Sequence, residues 1–203
     1  IFGERSTALE IYYTSRSLNL FSNIYFVVQI ISDSSAENTI EQSNLSESIN
    51  INAKSYFIAS MTNTKIKKKC IDIGLNAGLE LTSIINPAAY VCSSANIGVG
   101  VYVAANAVVS SRAYISDNCI INFGVTVGHD VKIEEFSTLN PGVVIGGNSM
   151  IGKNVLIGAN SVVKQGLEIS DNSKIDAMTY LYINLKTPSA CTSRNTKISK
   201  LKS

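Results

Sequence analysis

The chain has 203 residues, of which 45% are apolar, and a net charge of +2, enough for one large domain or two small ones of ordinary globular composition. That balance gives no global electrostatic reason to expect nucleic acid or an acidic membrane surface as partner. The longest apolar run, Ile24 to Ile31, is broken by Gln29 and is far too short to span a bilayer.

The first residues carry no charged-then-apolar run, so no secretory signal is expected there. Cys70, Cys92, Cys119 and Cys191 are irregularly spaced without a CxxC pair, which predicts a reducing compartment and a cytoplasmic protein. His129 is the single histidine.

Residues 1–84 alternate between strand-like and helix-like segments. IFGERSTALEI reads as a strand end, a turn at Gly3 and a helix start. Ile24 to Ile31 reads as a buried strand, and Ser32 to Asn52 as a polar loop. SYFIAS (Ser55 to Ser60) predicts a further strand, followed by a basic helix whose Lys65, Lys67, Lys68 and Lys69 form a solvated face. Leu79 to Pro87 leads into the next region. The alternation predicts a small parallel α/β domain.

From Ile85 the pattern changes. Every sixth residue is aliphatic: Ile85, Val91, Ile97, Val103 and so on to Leu181, 17 positions without an insertion. If such residues make up about a quarter of a chain, chance gives this phase odds on the order of 10⁻¹⁰. Four residues after each aliphatic stands a mostly small one, such as Ala107, Cys119 or Ser149, and three after it 12 of the 17 hexads carry Gly, Asn or Asp. Those types adopt a left-handed backbone conformation at low cost, and an amphipathic helix would repeat at 3.6 rather than six. The reading is a short strand and a sharp corner, repeated. Three hexads make one 18-residue triangular coil, coils stack at about 4.8 Å, and five to six of them bury a continuous core over residues 85–186. Residues 187–203 are polar and basic and are expected to form a surface tail. His129 falls two places after the inward Val127, on a corner, pointing outward.

Hexads such as IGGNSM, IGKNVL and IGANSV resemble those of the hexapeptide-repeat acyltransferases. The resemblance implies a left-handed parallel β-helix, a hand that periodicity alone does not supply because strand crossovers are otherwise right-handed. A small α/β, Rossmann-like domain before such a β-helix resembles the sugar acetyltransferases typified by PglD and NeuD. In that family the first turn reads like GxSGHA and helps hold a nucleotide-linked amino sugar. Here it reads Gly3-Glu4-Arg5-Ser6-Thr7-Ala8, and the positions after the second and third strands are Ser32-Asp33 and Met61-Thr62-Asn63. Arg5, Ser6, Thr7, Asp33 and Met61 are thereby the implied substrate-binding positions.

The same resemblance implies the chemistry. The GH-acid corner Gly128-His129-Asp130, followed by Ile133-Glu134-Glu135-Phe136-Ser137-Thr138-Leu139-Asn140-Pro141-Gly142, matches the family's catalytic corner. His129 is then the general base that takes a proton as an amine attacks a thioester, a role suited to imidazole with its ordinary pKa of about 6.5. Asp130 either orients that ring or merely fills the left-handed slot. Gly147, one coil beyond, is either the backbone donor to the oxyanion or a plain turn glycine. Thr138, Ala159 and Ala177 match the coenzyme A groove, where Thr138 replaces what is often a histidine. Such grooves lie between neighbouring β-helices, so the resemblance implies a homotrimer using acetyl-CoA as co-substrate and no metal. The implied activity is acetylation of the amino group of a nucleotide-linked sugar. O-acetylation and a non-catalytic scaffold are the alternatives. A β-helical carbonic anhydrase needs three histidines on zinc and is excluded.

Overall fold

The computed structural model describes residues 1–203 except 3–5, 20, 22, 29–38, 42–44, 49–53, 193–197 and 201–203. Two compact units emerge, Ile1–Pro87 and Ala88–Ser203.

The first unit contains α1 (Ser6–Leu18), β1 (Phe26–Val28), β2 (Thr39–Glu41), α2 (Leu45–Ser48), β3 (Tyr56–Phe57), α3 (Thr64–Asn76), β4 (Glu80–Leu81) and β5 (Ile84–Ile85). The pairs β1–β2 and β3–β4 are parallel. Phe2 lies between them. Ile1 N donates to Tyr25 O at 2.8 Å, Phe2 N–H donates to Ile58 O at 2.9 Å and Ser60 N–H donates to Phe2 O at 3.2 Å. Phe2 thus bridges to Ala59 in parallel and lies between the two strand pairs.

Two expectations for this unit are corrected. Residues 32–52 were expected as loop, yet β2 and α2 form within them: Thr39 and Ile40 favour a strand, and Leu45 anchors α2 with 4% of its surface exposed. The lysine run is not uniformly solvated either. Lys65, Lys68 and Lys69 are exposed, but Lys67 shares the buried face of α3 with Cys70, Ile71 and Gly74, since residues three, four and seven apart line one side of a helix. Asn63 caps that helix by accepting from Ile66 N–H at 3.2 Å. Gly74 admits the ring of Phe57, which an added Cβ would meet at 2.7 Å.

The second unit is a parallel β-solenoid of two-residue strands. Each strand pairs with the one 18 residues on, as in Ile115↔Ile133, Ile121↔Leu139 and Val127↔Ile145. One of its three faces carries six strands. All 14 slots from Gly100 to Met178 that fall three places after the inward aliphatic have positive φ, so the corners follow the hexad without a break. The inward residues Val103, Val109, Ile115, Ile121, Val127, Ile133 and Leu139 are completely buried.

The second inward row also joins coils chemically. Ser137, Ser149, Ser161 and Ser173 are all completely buried. Ser161 Oγ donates to Asp176 O at 2.7 Å and accepts from Thr179 N–H at 3.1 Å. Ser137 makes the same two contacts with Gly152 O and Val155 N–H.

The segment 187–203 is not simply a tail. Ser189–Cys191 continues one face by pairing with Lys174 and Ile175, and Ile198–Lys200 returns antiparallel to it. Ser189 and Cys191 are buried. The last coil of a solenoid exposes unpaired backbone and core, and such ends need a cap.

Ser161→Ala is expected to lower stability by about 1–2 kcal/mol, because it strands a buried N–H and a carbonyl. The midpoint of guanidinium unfolding should fall accordingly.

Candidate active site

His129 and Asp130 share one corner of the solenoid. The imidazole projects outward with 49% of its side chain exposed. Its Nδ1 lies 2.8 Å from Asp130 Oδ2, so with the carboxylate ionised Nδ1–H is the donor and Nε2 is left as the basic nitrogen. Asp130 has φ 58°, and its N–H donates to Ser111 O at 3.0 Å in the preceding coil. The left-handed slot thus fixes the aspartate, while its side chain holds the histidine.

Arg112, one coil before Asp130, completes the cluster. Its Nε donates to Asp130 Oδ1 at 2.7 Å and its Nη2 to Oδ2 at 2.8 Å. The Arg112 guanidinium, followed by His129, holds the Asp130 carboxyl down to about 2. Asp130 is therefore an anion at any pH above the acid range. Sequence reasoning overlooked Arg112, although a signal existed: among the 14 left-handed slots it is one of three that carry none of Gly, Asn or Asp.

Gly147 stacks on His129 from the following coil. A Cβ there would come 2.6 Å from His129 Nε2 and within 2.9 Å of two ring carbons. Gly128 is equally constrained, since its Cβ would meet Gly147 N at 2.6 Å. Asn148 N–H donates to His129 O at 2.9 Å, which locks the two corners in register. Glycine at 147 therefore lets the imidazole lie directly against the backbone of the next coil.

The other expected residues lie elsewhere. Thr138 is in a strand, buried, and paired with Ile120 on one side and Leu156 on the other. Ala159 and Ala177 stack on a corner different from that of His129, joined by Met178 N–H donating to Ala159 O at 2.8 Å. Ala159 is half-buried and Ala177 exposed. In the first unit, Ser6 and Thr7 open α1. Met61 follows Ser60, whose Oγ donates to Phe2 O at 2.8 Å. Arg5 and Asp33 lie outside the described residues.

Among the described residues no group of three or more His, Cys, Asp and Glu could hold a metal ion, and no helix is long and apolar enough to cross a membrane. The four cysteines are unpaired with one another. An open polar depression of about 470 Å³, lined by Asp117, Glu134, Glu135 and Phe136 among others, sits on a third corner, away from His129.

Comparison with known proteins agrees with this architecture. A family model described as the hexapeptide repeat of succinyl-transferase matches residues 150–182. No curated protein matches the sequence significantly. Among solved structures, the acetyltransferase domain of PglB from Neisseria gonorrhoeae is similar with a TM-score of 0.89 at 23% identity, over 98% of this chain and 97% of that one. It has also been solved in complex with acetyl coenzyme A. A mutant of perosamine N-acetyltransferase from Caulobacter crescentus, in complex with CoA and GDP-perosamine, gives a TM-score of 0.89 at 20% identity, over 98% and 94% of the two chains. WeeI from Acinetobacter baumannii gives 0.68 at 14%, over 98% and 97%. At these identities the likeness establishes the fold: a left-handed parallel β-helix preceded by a small α/β unit.

Gly147→Ala is expected to rotate the imidazole off Asp130 rather than unfold the corner, because an exposed side chain yields more easily than stacked backbone. The single histidine makes this readable. Its ring resonances should shift in an NMR spectrum while the unfolding midpoint stays within about 1 kcal/mol of the parent.

Proposed function

We propose that this chain is an acetyltransferase that moves the acetyl group of acetyl-CoA to the amino group of a nucleotide-linked amino sugar, with His129 as general base. The observation that carries the reading is the corner itself: an outward imidazole held at Nδ1 by an ionised aspartate, with its other edge over a glycine where a Cβ would strike the ring. The similar structures solved with acetyl coenzyme A and with GDP-perosamine support the donor and the acceptor class.

The chemistry follows from these groups. The amine attacks the thioester carbonyl carbon, and Nε2 of His129 removes the proton that the nitrogen sheds as the C–N bond forms. The carbonyl oxygen takes up negative charge, and the N–H of Gly147 is its donor. When the tetrahedral centre collapses, the C–S bond breaks and the imidazolium returns its proton to the departing thiolate. Asp130 keeps the ring in the Nδ1–H form throughout. The protein remains net unchanged.

Ala159 and Ala177 stand on another corner from His129, so one chain does not assemble both halves of the site. A homotrimer supplies the missing half, with each coenzyme A groove lying between two β-helices and contacted by Ala159 and Ala177, whereas Thr138 is buried in its own chain and offers it no surface. The outward column Val108, Val144 and Val162 on one face, each more than a third exposed, suits such packing. Arg5, Ser6, Thr7, Asp33 and Met61 are the positions proposed for the nucleotide sugar. Four unpaired cysteines suit a cytoplasmic setting.

A thiol-release assay with acetyl-CoA and a panel of nucleotide-linked amino and hydroxylated sugars tests this. At least one amino sugar should release coenzyme A, and His129→Ala should lower kcat by about 10²–10⁴-fold without changing the oligomer seen by light scattering. Silence across the whole panel, or full activity in His129→Ala, defeats the proposal.

A further inference from the structure

The left-handed slots obey a residue rule, and the exceptions are informative. Of the 14 from Gly100 to Met178, 11 carry Gly, Asn or Asp, and the remaining three are Arg112, Phe136 and Met178, with φ of 55°, 61° and 57°. A long side chain in this conformation costs about 1 kcal/mol or more. At Arg112 the fold forgoes an asparagine and gains a bidentate contact to Asp130, the carboxylate that also holds His129. That contact is not a stability device, because the guanidinium is 65% exposed and exposed pairs contribute little. The Arg112 backbone is tied as well, its N–H donating to Ser94 Oγ at 3.2 Å in the preceding coil.

The geometry of the shared oxygen defines what Arg112 does. Asp130 Oδ2 accepts from both Arg112 Nη2 and His129 Nδ1, each at 2.8 Å. A carboxylate beside an imidazole orients it, but also favours the imidazolium, the form that cannot accept a proton. A cation on the same carboxylate opposes that second effect and leaves the first intact. The bidentate fork also removes the freedom of the carboxylate to rotate.

We propose that Arg112 is a positioning residue that fixes Asp130 and offsets its charge, so that the aspartate orients His129 without holding it protonated. The inference rests on His129 being the base, but its central observable does not require turnover. The other groups facing the ring along its corner, Ser111, Gly147 and Gln165, carry no charge. Cys92 lies two coils before Asp130's corner, Lys132 begins the next strand, and Lys164 lies two coils on.

Arg112→Asn is the deciding variant. Asparagine is the residue the fold uses in this slot elsewhere, and the Asn154 Nδ2 to Asn172 Oδ1 bond at 2.8 Å shows that it can still reach one coil along. It therefore removes the charge and leaves the corner intact. With one histidine in the chain, ¹⁵N and ¹H NMR titration reports His129 alone. In Arg112→Asn the titration midpoint should rise, the fraction in the Nδ1–H tautomer should fall, and the thermal midpoint should stay level or rise. In Arg112→Lys, which keeps charge but not the fork, the titration midpoint should remain near the parent while kcat falls about tenfold. The acid limb of kcat/KM should move to higher pH in Arg112→Asn along with it. An unchanged midpoint and tautomer in Arg112→Asn overturn the role of Arg112, even if acetyl transfer is confirmed. If the NMR changes appear while no sugar is acetylated, Arg112 stands and the acetyltransferase reading falls.

Discussion

The whole second unit depends on one backbone requirement, a residue in the left-handed conformation once every six. It turns the chain by a corner, and three corners close a coil whose backbone N–H and C=O groups then meet those of the coils above and below. Because each coil takes 18 residues without insertion, positions 18 apart stack in register. Everything that functions as a cluster here inherits that spacing: Arg112 with Asp130, His129 with Gly147. A single inserted residue between them would separate the partners and turn inward side chains outward.

The same requirement explains why the corner is a good place for chemistry. Strand positions alternate between a packed interior and a flat face, whereas a corner side chain projects into solvent on rigid backbone. His129 is half exposed, yet its carbonyl, its neighbour's N–H and its Nδ1 are all held. Pre-organisation here comes from the stacking of coils, not from burial. The electrostatics are correspondingly modest in energy and specific in direction: Arg112 acts on Asp130, and Asp130 on the ring.

The two units differ in how openly the sequence displays them. In the β-helix each corner is a local demand on one residue, so it is written into the chain at a fixed period and survives Arg112, Phe136 and Met178 as exceptions. In the first unit β2 and α2 form inside a polar stretch, where Ile40 and Leu45 give no periodic signal. Lys67 looks identical in sequence to Lys65, Lys68 and Lys69, and only its alignment with Cys70, Ile71 and Gly74 on one helix face distinguishes it. The closing strand Ser189–Cys191 pairs 16 residues from its partner instead of 18, which no extension of the hexad predicts.

By itself, then, the sequence determined the coil: its period, its inward rows, the outward corner that carries His129 and the left-handed slot of Asp130. These are consequences of what one residue type can do with its own backbone. The tertiary structure decided which side chains meet. The guanidinium of Arg112 on Asp130, the ring of His129 over Gly147, and the placement of Ala159 and Ala177 on a separate corner follow from stacking successive coils. The 18-residue period stacks such residues, as it does Gly147 on His129, but which side chains reach one another depends on rotamers that the period does not fix.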